Sequence, residues 1–175
     1  MTNNTLGRLG IPLLALVLIV GLAGVGSWAA SNAGKQAPDI ALPTLTGETL
    51  RLADYRGQLV VVNFWAPWCP PCRQEMPDLE AFHNKHDDTV VLGLAVNYRS
   101  QDNVTNMVDM MNVTYPVAYA GSEVADKFGS FQGLPTTFVV GPEGNVREEH
   151  PGLLPAEMME SYRKEILEPE TPPSN

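Results

Sequence analysis

Apolar residues first form one long run in this chain and then shorter runs that alternate with polar segments. Residues 59–65 and 89–97 are nearly continuous, Val-rich apolar runs and predict buried parallel strands. Apolar residues at helical spacing predict helices from Pro70 or Pro71 to about His86, and over residues 101–111, 122–128 and 155–167. With short strands at 115–119, 136–140 and 146–150, this alternation predicts an α/β fold.

A β-hairpin is predicted before the first long strand. Ile40, Leu42 and Leu45 alternate along the chain, and the alternation resumes at Leu50 and Leu52 after a turn at Thr46-Gly47-Glu48. We expect this hairpin to extend the edge of the main sheet and to have no reactive chemistry.

The N-terminal apolar run predicts a transmembrane helix. Residues 9–30 carry no charge, and at 1.5 Å per residue they would cross a hydrocarbon core about 30 Å thick. Arg8 precedes the run, which favours a cytoplasmic N-terminus at residues 1–8. A cleaved signal peptide is the alternative, because small residues such as Ala30 could supply a cleavage site. Either way, the rest of the chain is exported.

The remaining chain predicts one domain. Residues 31–36 form a polar linker, residues 37–168 form the domain, and the proline-rich residues 169–175 are predicted to be a disordered tail. The formal net charge is −9, with no offsetting basic cluster. Such a surface excludes nucleic acid as a partner and favours proteins.

The only two cysteines, Cys69 and Cys72, follow the first buried strand. Pro70 and Pro71 between them suit the first turn of a helix, where a missing N–H costs nothing. The unpaired N–H groups of a helix N-terminus favour a thiolate. Cys69 is therefore the expected nucleophile, and Cys72, one turn further in, the more buried resolving thiol.

Two other uses of the cysteine pair fit the sequence less well. A permanent disulfide over so short a loop would gain little loop-closure entropy, and a zinc site needs two more ligands. His83, His86 and His150 share no metal spacing and are predicted to be surface residues. We predict no metal and no cofactor. A copper metallochaperone using Cys69, Cys72 and His150 is a less favoured alternative, as is a thiol peroxidase.

Glu75 is the carboxylate most relevant to the cysteines. It follows Cys72 by three residues, so the two side chains share one face of the predicted helix. If Glu75 is partly buried, its pKa would rise and it could exchange protons with Cys72. The alternative is an exposed acid that is favourably placed near the helix N-terminus.

Three stretches together carry a family resemblance. They are NFWAPWCPPCRQEMP at 63–77, the APD, LRL and YRG segments beginning at 37, 50 and 55, and GLPTTF at 133–138. The chain resembles the membrane-anchored TlpA, ResA and DsbE (CcmG) group. The resemblance implies a thioredoxin fold with an N-terminal hairpin and a central helix–strand insertion, and thiol:disulfide oxidoreductase activity.

The same resemblance implies roles for further residues. Pro135 matches a cis-proline that faces the cysteines, which would let Leu134 offer its main chain to an extended substrate peptide. Trp68 and Pro70 are predicted to contact the substrate as well. Glu75 matches a glutamate that modulates the thiols, and Asn63 departs from cytosolic thioredoxin, which has an acid there.

The resemblance also implies a physiological setting. It predicts a single-pass protein of the bacterial inner membrane, with its catalytic domain in the periplasm or otherwise outside the cytoplasm. The expected partners are an electron donor of the DsbD or CcdA kind and client proteins with disulfides. Apocytochrome c in cytochrome c maturation is the preferred client, while copper-site assembly proteins of cytochrome oxidase and general periplasmic disulfide reduction are alternatives.

Overall fold

The computed structural model describes residues 34–129 and 131–169, which form a five-stranded sheet with helices on both faces. In chain order, the strands and helices are β1 (Ala41–Pro43), β2 (Thr49–Arg51), β3 (Leu59–Trp65), α1 (Pro70–Lys85), β4 (Thr89–Ala95), α2 (Gln101–Met110), β5 (Val117–Tyr119), α3 (Ser122–Phe128), β6 (Thr136–Val140), β7 (Val146–Pro151) and α4 (Ala156–Leu167). The predicted alternation of strands and helices is confirmed, with boundaries shifted by one or two residues.

The central strand of the sheet is β3. The strand order is β5-β4-β3-β6-β7, in which β3, β4 and β5 are parallel, β6 is antiparallel to β3, and β7 is antiparallel to β6. All seven residues of β3 are buried. The continuous apolar run of this strand is explained by packing on both of its faces.

Two apolar clusters lie on opposite faces of the sheet. One contains Phe64, which makes edge-to-face contacts with Phe128 of α3 and Phe138 of β6 at ring-centroid distances of 5.5 and 5.9 Å. The other contains Trp65 with residues of α1, α2 and α4, and it includes both cysteines. The sheet therefore presents the cysteine pair on the face that α1, α2 and α4 cover.

The predicted hairpin is confirmed, but the expectation that it extends the edge of the main sheet is wrong. Strands β1 and β2 pair with each other in a separate two-stranded sheet. After β1 the chain reaches the main sheet at β5, where Thr44 bridges Ala118 and the Leu45 N–H donates to the Val117 carbonyl at 3.3 Å. Before β1 it reaches the start of β7, where the Val146 N–H donates to the Lys35 carbonyl at 2.8 Å. The hairpin thus covers the sheet near β5 without adding a strand to it.

The predicted membrane span at residues 9–30 lies outside the described residues, as does most of the predicted tail. Between residues 34 and 169, leaving out residue 130, no helix has both the length and the apolar character needed to cross a bilayer.

Candidate active site

The cysteine pair lies at the start of α1, as the sequence predicts. Cys69 is the N-cap, Pro70 and Pro71 are the first two helical residues, and the Cys72 N–H donates to Cys69 Sγ at 3.3 Å. The two sulfur atoms form a disulfide, with the Cα atoms 5.3 Å apart. Cys72 is fully buried and Cys69 is 2 % exposed. Both cysteines are therefore covered in this oxidised state, and the roles assigned to them stay predictions.

The turn before Cys69 is held by side chains from two directions. An N–H of the Arg73 guanidinium donates to the Pro67 carbonyl at 3.1 Å, and the Trp68 indole N–H donates to the Asn97 carbonyl at 2.8 Å. Trp68 is 58 % exposed, despite being one of the largest apolar side chains. A fixed, exposed indole next to Cys69 forms an apolar surface that a substrate can contact.

An open groove of about 700 Å³ extends from this turn toward α2. Its lining combines Pro67 and Trp68 with residues of the segment after β4 and of α2, among them Tyr98, Arg99 and Met110. Met110 is 63 % exposed. The groove therefore offers apolar surface and one positive charge beside the cysteines of a chain whose net charge is negative.

Glu75 lies beneath the cysteines and is 1 % exposed. Asn63 Nδ2 of β3 donates to Glu75 Oε1 at 2.7 Å, and the Leu154 N–H donates to Glu75 Oε2 at 2.9 Å. Asn63 also donates to Thr137 Oγ1 of β6 at 3.0 Å. The alternative of an exposed acid near the helix N-terminus is therefore wrong. Glu75 is buried, which is the condition that the sequence analysis sets for a raised pKa.

Burial controls the protonation of Glu75. Removal of the carboxylate from water raises its pKa from 4.5 to about 7, although the hydrogen bonds from Leu154 and Asn63 oppose the change. A carboxyl group with this pKa exchanges protons readily near neutral pH. It sits one helical turn from Cys72, the thiol that must lose a proton before it can close the disulfide.

The Leu134–Pro135 peptide bond is cis, as the resemblance implies. Leu134 packs against the apolar cluster that contains Cys69 and Cys72, and the Thr136 hydroxyl donates to the Gly133 carbonyl at 2.7 Å. Leu134 thus shares an apolar cluster with both cysteines. Of the four residues predicted to contact substrate, Trp68 and Pro70 flank Cys69 in the chain, and Leu134 and Pro135 lie just before β6.

The expectation that the histidines are simple surface residues is wrong, because all three are partly buried and hydrogen-bonded. His83 Nδ1 accepts from the Val91 N–H at 3.4 Å, and His86 Nε2 lies 3.1 Å from Glu160 Oε1. His150 bonds to Leu153 and Tyr162 through its two ring nitrogens. Across residues 34–129 and 131–169, no three His, Cys, Asp or Glu side chains are grouped as a metal ion would require.

Part of the environment of Glu75 is not predicted from the sequence. The sequence marks Asn63 only as a departure from cytosolic thioredoxin, and it does not point to Thr137 or Leu154 as parts of the site. One available signal was a polar residue inside the apolar run of β3. The pairing of Asn63 with Thr137 depends on strand register, which the sequence pattern does not specify.

Comparison with known proteins agrees with this geometry. The model of the AhpC/TSA family matches residues 33–149. The chain belongs to the AhpC/TSA family. It is 32 % identical to the thiol-disulfide oxidoreductase ResA of Halalkalibacterium halodurans, over 80 % of each chain. It is also 32 % identical to the thioredoxin-like protein YneN of Bacillus subtilis, over 84 % of this chain and 94 % of the other.

Solved structures of similar proteins have the same fold. A putative thiol:disulfide interchange protein DsbE from Chlorobium tepidum superimposes with a TM-score of 0.69 and 29 % identity, covering 78 % of this chain and 96 % of that one. The fold is therefore thioredoxin-like, with the predicted α/β arrangement. With Cys69 and Cys72 in the expected CxxC spacing, the protein is a thiol-disulfide oxidoreductase of the ResA and DsbE type.

Proposed function

We propose that this oxidoreductase acts as a reductant outside the cytoplasm, tethered to the membrane by residues 9–30. The observation that carries the thiol chemistry of this proposal is the buried Glu75, which has a pKa of about 7 and lies one helical turn from Cys72 at a helix N-terminus. A proton acceptor at this position serves the step in which Cys72 becomes a thiolate. Export is supported by a similar structure, a secreted thiol-disulfide isomerase from Corynebacterium glutamicum, which is 27 % identical with a TM-score of 0.68.

The reaction passes two electrons from the dithiol to the client. The Cys69 thiolate attacks one sulfur of a client disulfide, a mixed disulfide forms, and the client's other sulfur leaves as a thiolate that takes up a proton. Cys72 then transfers its proton to Glu75 and attacks Cys69 Sγ. This attack releases the second client thiolate and closes the Cys69–Cys72 disulfide. A membrane thiol donor of the DsbD or CcdA kind re-reduces the enzyme.

The preferred clients are the haem-attachment cysteines of apocytochrome c. The groove beside Cys69 supports an extended polypeptide as the ligand, because Trp68 and Met110 offer apolar contacts and Leu134 lies in the loop before β6. Copper-site assembly proteins and a general pool of disulfides are the competing clients.

Trapping identifies the client. A Cys72→Ala variant of the full chain cannot resolve the mixed disulfide, so Cys69 stays joined to its client and mass spectrometry names it. Apocytochrome c is the expected adduct, and copper-assembly proteins or a broad mixture of adducts would reject the cytochrome assignment. The Cys69→Ala,Cys72→Ala variant is the matched control and should capture nothing.

The redox potential tests the direction of the reaction. We expect a value near that of thioredoxin, about −270 mV, rather than near DsbA at about −120 mV. Equilibration of the Cys69–Cys72 pair with glutathione buffers measures it. A value close to that of DsbA would reject the role as a reductant.

A further inference from the structure

His150 is linked to Glu75 through a single peptide group. His150 Nε2 lies 3.1 Å from the Leu153 carbonyl oxygen, and the N–H of the same peptide, that of Leu154, donates to Glu75 Oε2 at 2.9 Å. A carbonyl oxygen can only accept, so His150 donates from Nε2. The peptide therefore accepts a hydrogen bond from His150 on one side and donates one to Glu75 on the other.

The imidazole ring is fixed at both of its nitrogens. His150 Nδ1 lies 3.3 Å from the Tyr162 hydroxyl of α4. Since Nε2 carries a hydrogen, Nδ1 of the neutral ring accepts from this hydroxyl. In the sheet, His150 pairs with Thr137, which pairs with Asn63 on its other side. His150 is thus in one cross-strand row with Asn63, which is the second residue that donates to Glu75.

The Leu153–Leu154 peptide depends on such support because it lies in the loop between β7 and α4, outside the strand ladder. A donor on its carbonyl holds its orientation and also polarises it, which strengthens the hydrogen bond that its N–H gives. We propose that His150 is a positioning residue of the thiol chemistry, which holds the Leu154 N–H against the Glu75 carboxylate. The inference rests on the proposed role of Glu75 as the proton acceptor.

Other titratable groups lie near the hydrogen bonds that link His150, the Leu153–Leu154 peptide and Glu75. Burial raises the pKa of Tyr162, with further contributions from Glu148 of β7 and Glu165 of α4. Tyr115, in the segment before β5, has a pKa raised by burial first and then by the charges of Glu75 and Glu80. The test therefore follows the carboxyl group of Glu75 itself.

The experiment is a pH titration of the Glu75 side-chain carbon by ¹³C NMR in the oxidised full chain. In His150→Leu the titration midpoint should rise by about half a pH unit, because the charged carboxylate loses part of one hydrogen bond. His150→Gln keeps an N–H donor near the Nε2 position and should restore the midpoint. The matched control is His86→Leu, which removes a partly buried histidine bonded to Glu160 and should leave the midpoint unchanged.

An unchanged midpoint in a folded His150→Leu variant would overturn the proposal, and so would a glutamine variant that behaves like leucine. If leucine prevents folding, His150→Asn replaces it, because the shorter amide cannot reach the Leu153 carbonyl. Equal midpoints in the asparagine and glutamine variants would then overturn the proposal. The oxidised protein needs no client or electron donor, so a failure of the reductase role would be seen separately, as missing disulfide reduction by the wild type.

Discussion

At the scale of single residues, the proposed chemistry depends on a carboxyl group kept away from water. Two donors from different parts of the fold hold Glu75, namely Asn63 of β3 and Leu154 of the loop before α4. Neither hydrogen bond lowers the pKa enough to offset burial, so Glu75 titrates near pH 7. The group is therefore able to take the Cys72 proton and to return it to solvent at physiological pH.

Replacement of Glu75 by glutamine should change the titration of the thiols. In the reduced wild type, a negative Glu75 opposes the Cys72 thiolate one turn away, so Glu75→Gln should lower the apparent pKa of Cys72 by about one unit. The pH profile should also lose its inflection near pH 7, because a coupled carboxyl group is gone. Alkylation rates of the reduced protein measured between pH 5 and 10 check both effects.

The matched control for this titration is Glu80→Gln. Glu80 also lies on α1, but its carboxylate bonds to Thr114 and Asn84 and its pKa is lowered. We expect the thiol titration of this control to match that of the wild type. Thiol pKa values that stay the same in Glu75→Gln would end the proton-exchange hypothesis.

The sequence brings the candidate reactive residues together more clearly than it predicts their surroundings. Cys69, Cys72 and Glu75 fall within seven residues of one another, so helix geometry alone relates them. Asn63, Thr137 and Leu154 come from three further segments, and only strand register and loop conformation bring Asn63 and Leu154 to Glu75 and Thr137 to Asn63. Register and loop conformation are properties of the folded chain that local patterns do not specify.

At the scale of elements, α1 connects the active site to the insertion formed by α2 and β5. Glu80, midway along α1, accepts a hydrogen bond from the Thr114 N–H at 2.8 Å and another from its hydroxyl. These bonds lower the pKa of Glu80 against the effect of its partial burial. The segment that leads into β5 is thereby held against the helix that carries the cysteines.

Removal of this link should destabilise the fold modestly. Glu80→Ala leaves the Thr114 N–H and hydroxyl without their acceptor, and we expect a loss of about 1 kcal/mol in the free energy of unfolding at pH 7. Because the pKa of Glu80 is lowered in the folded state, its contribution is present above the ordinary pKa and is lost as pH falls through the folded value. The difference between wild type and variant should therefore shrink below about pH 4.

Urea unfolding at pH 7 and at pH 3.5 measures this difference. Asp78→Ala is the matched control, since Asp78 is an exposed acid on the same helix, and it should change stability by less than about 0.5 kcal/mol. Equal stabilities of Glu80→Ala and wild type at pH 7 would show that the carboxylate bonds contribute nothing.

Elements with a long hydrophobic pattern are predicted correctly from the sequence. The strand pairing of the short hairpin is not. The buried run of β3 and the helix that begins at the cysteines are nearly as predicted, because each covers many residues with one period. The hairpin was recognised, yet its strands have only three residues each and pair with each other. Nothing in so short a pattern decides between a separate two-stranded sheet and an added edge strand.

At the scale of the whole molecule, pH should affect stability in two opposite ways. Asp88 and Glu160 have lowered pKa values, chiefly through hydrogen bonds from Arg163 and Lys85, so they stabilise the fold above their ordinary pKa values. Glu75 has a raised pKa. Its contribution is fully present below the unfolded value of 4.5 and is lost as pH rises through about 7. The oxidised protein should therefore be most stable near pH 5.

The Glu75→Gln variant tests why stability falls on the alkaline side of this optimum. A shift from 4.5 to about 7 corresponds to roughly 3 kcal/mol of unfolding free energy that the wild type loses as its buried carboxyl group ionises. Glutamine cannot ionise, so the stability of the variant should stay nearly level across the same range while that of the wild type falls. Urea unfolding of both oxidised proteins between pH 4.5 and 8 measures the difference. Parallel curves would mean that Glu75 titrates alike in the folded and unfolded chain, and a carboxyl group of ordinary pKa could not serve as the proton acceptor at neutral pH.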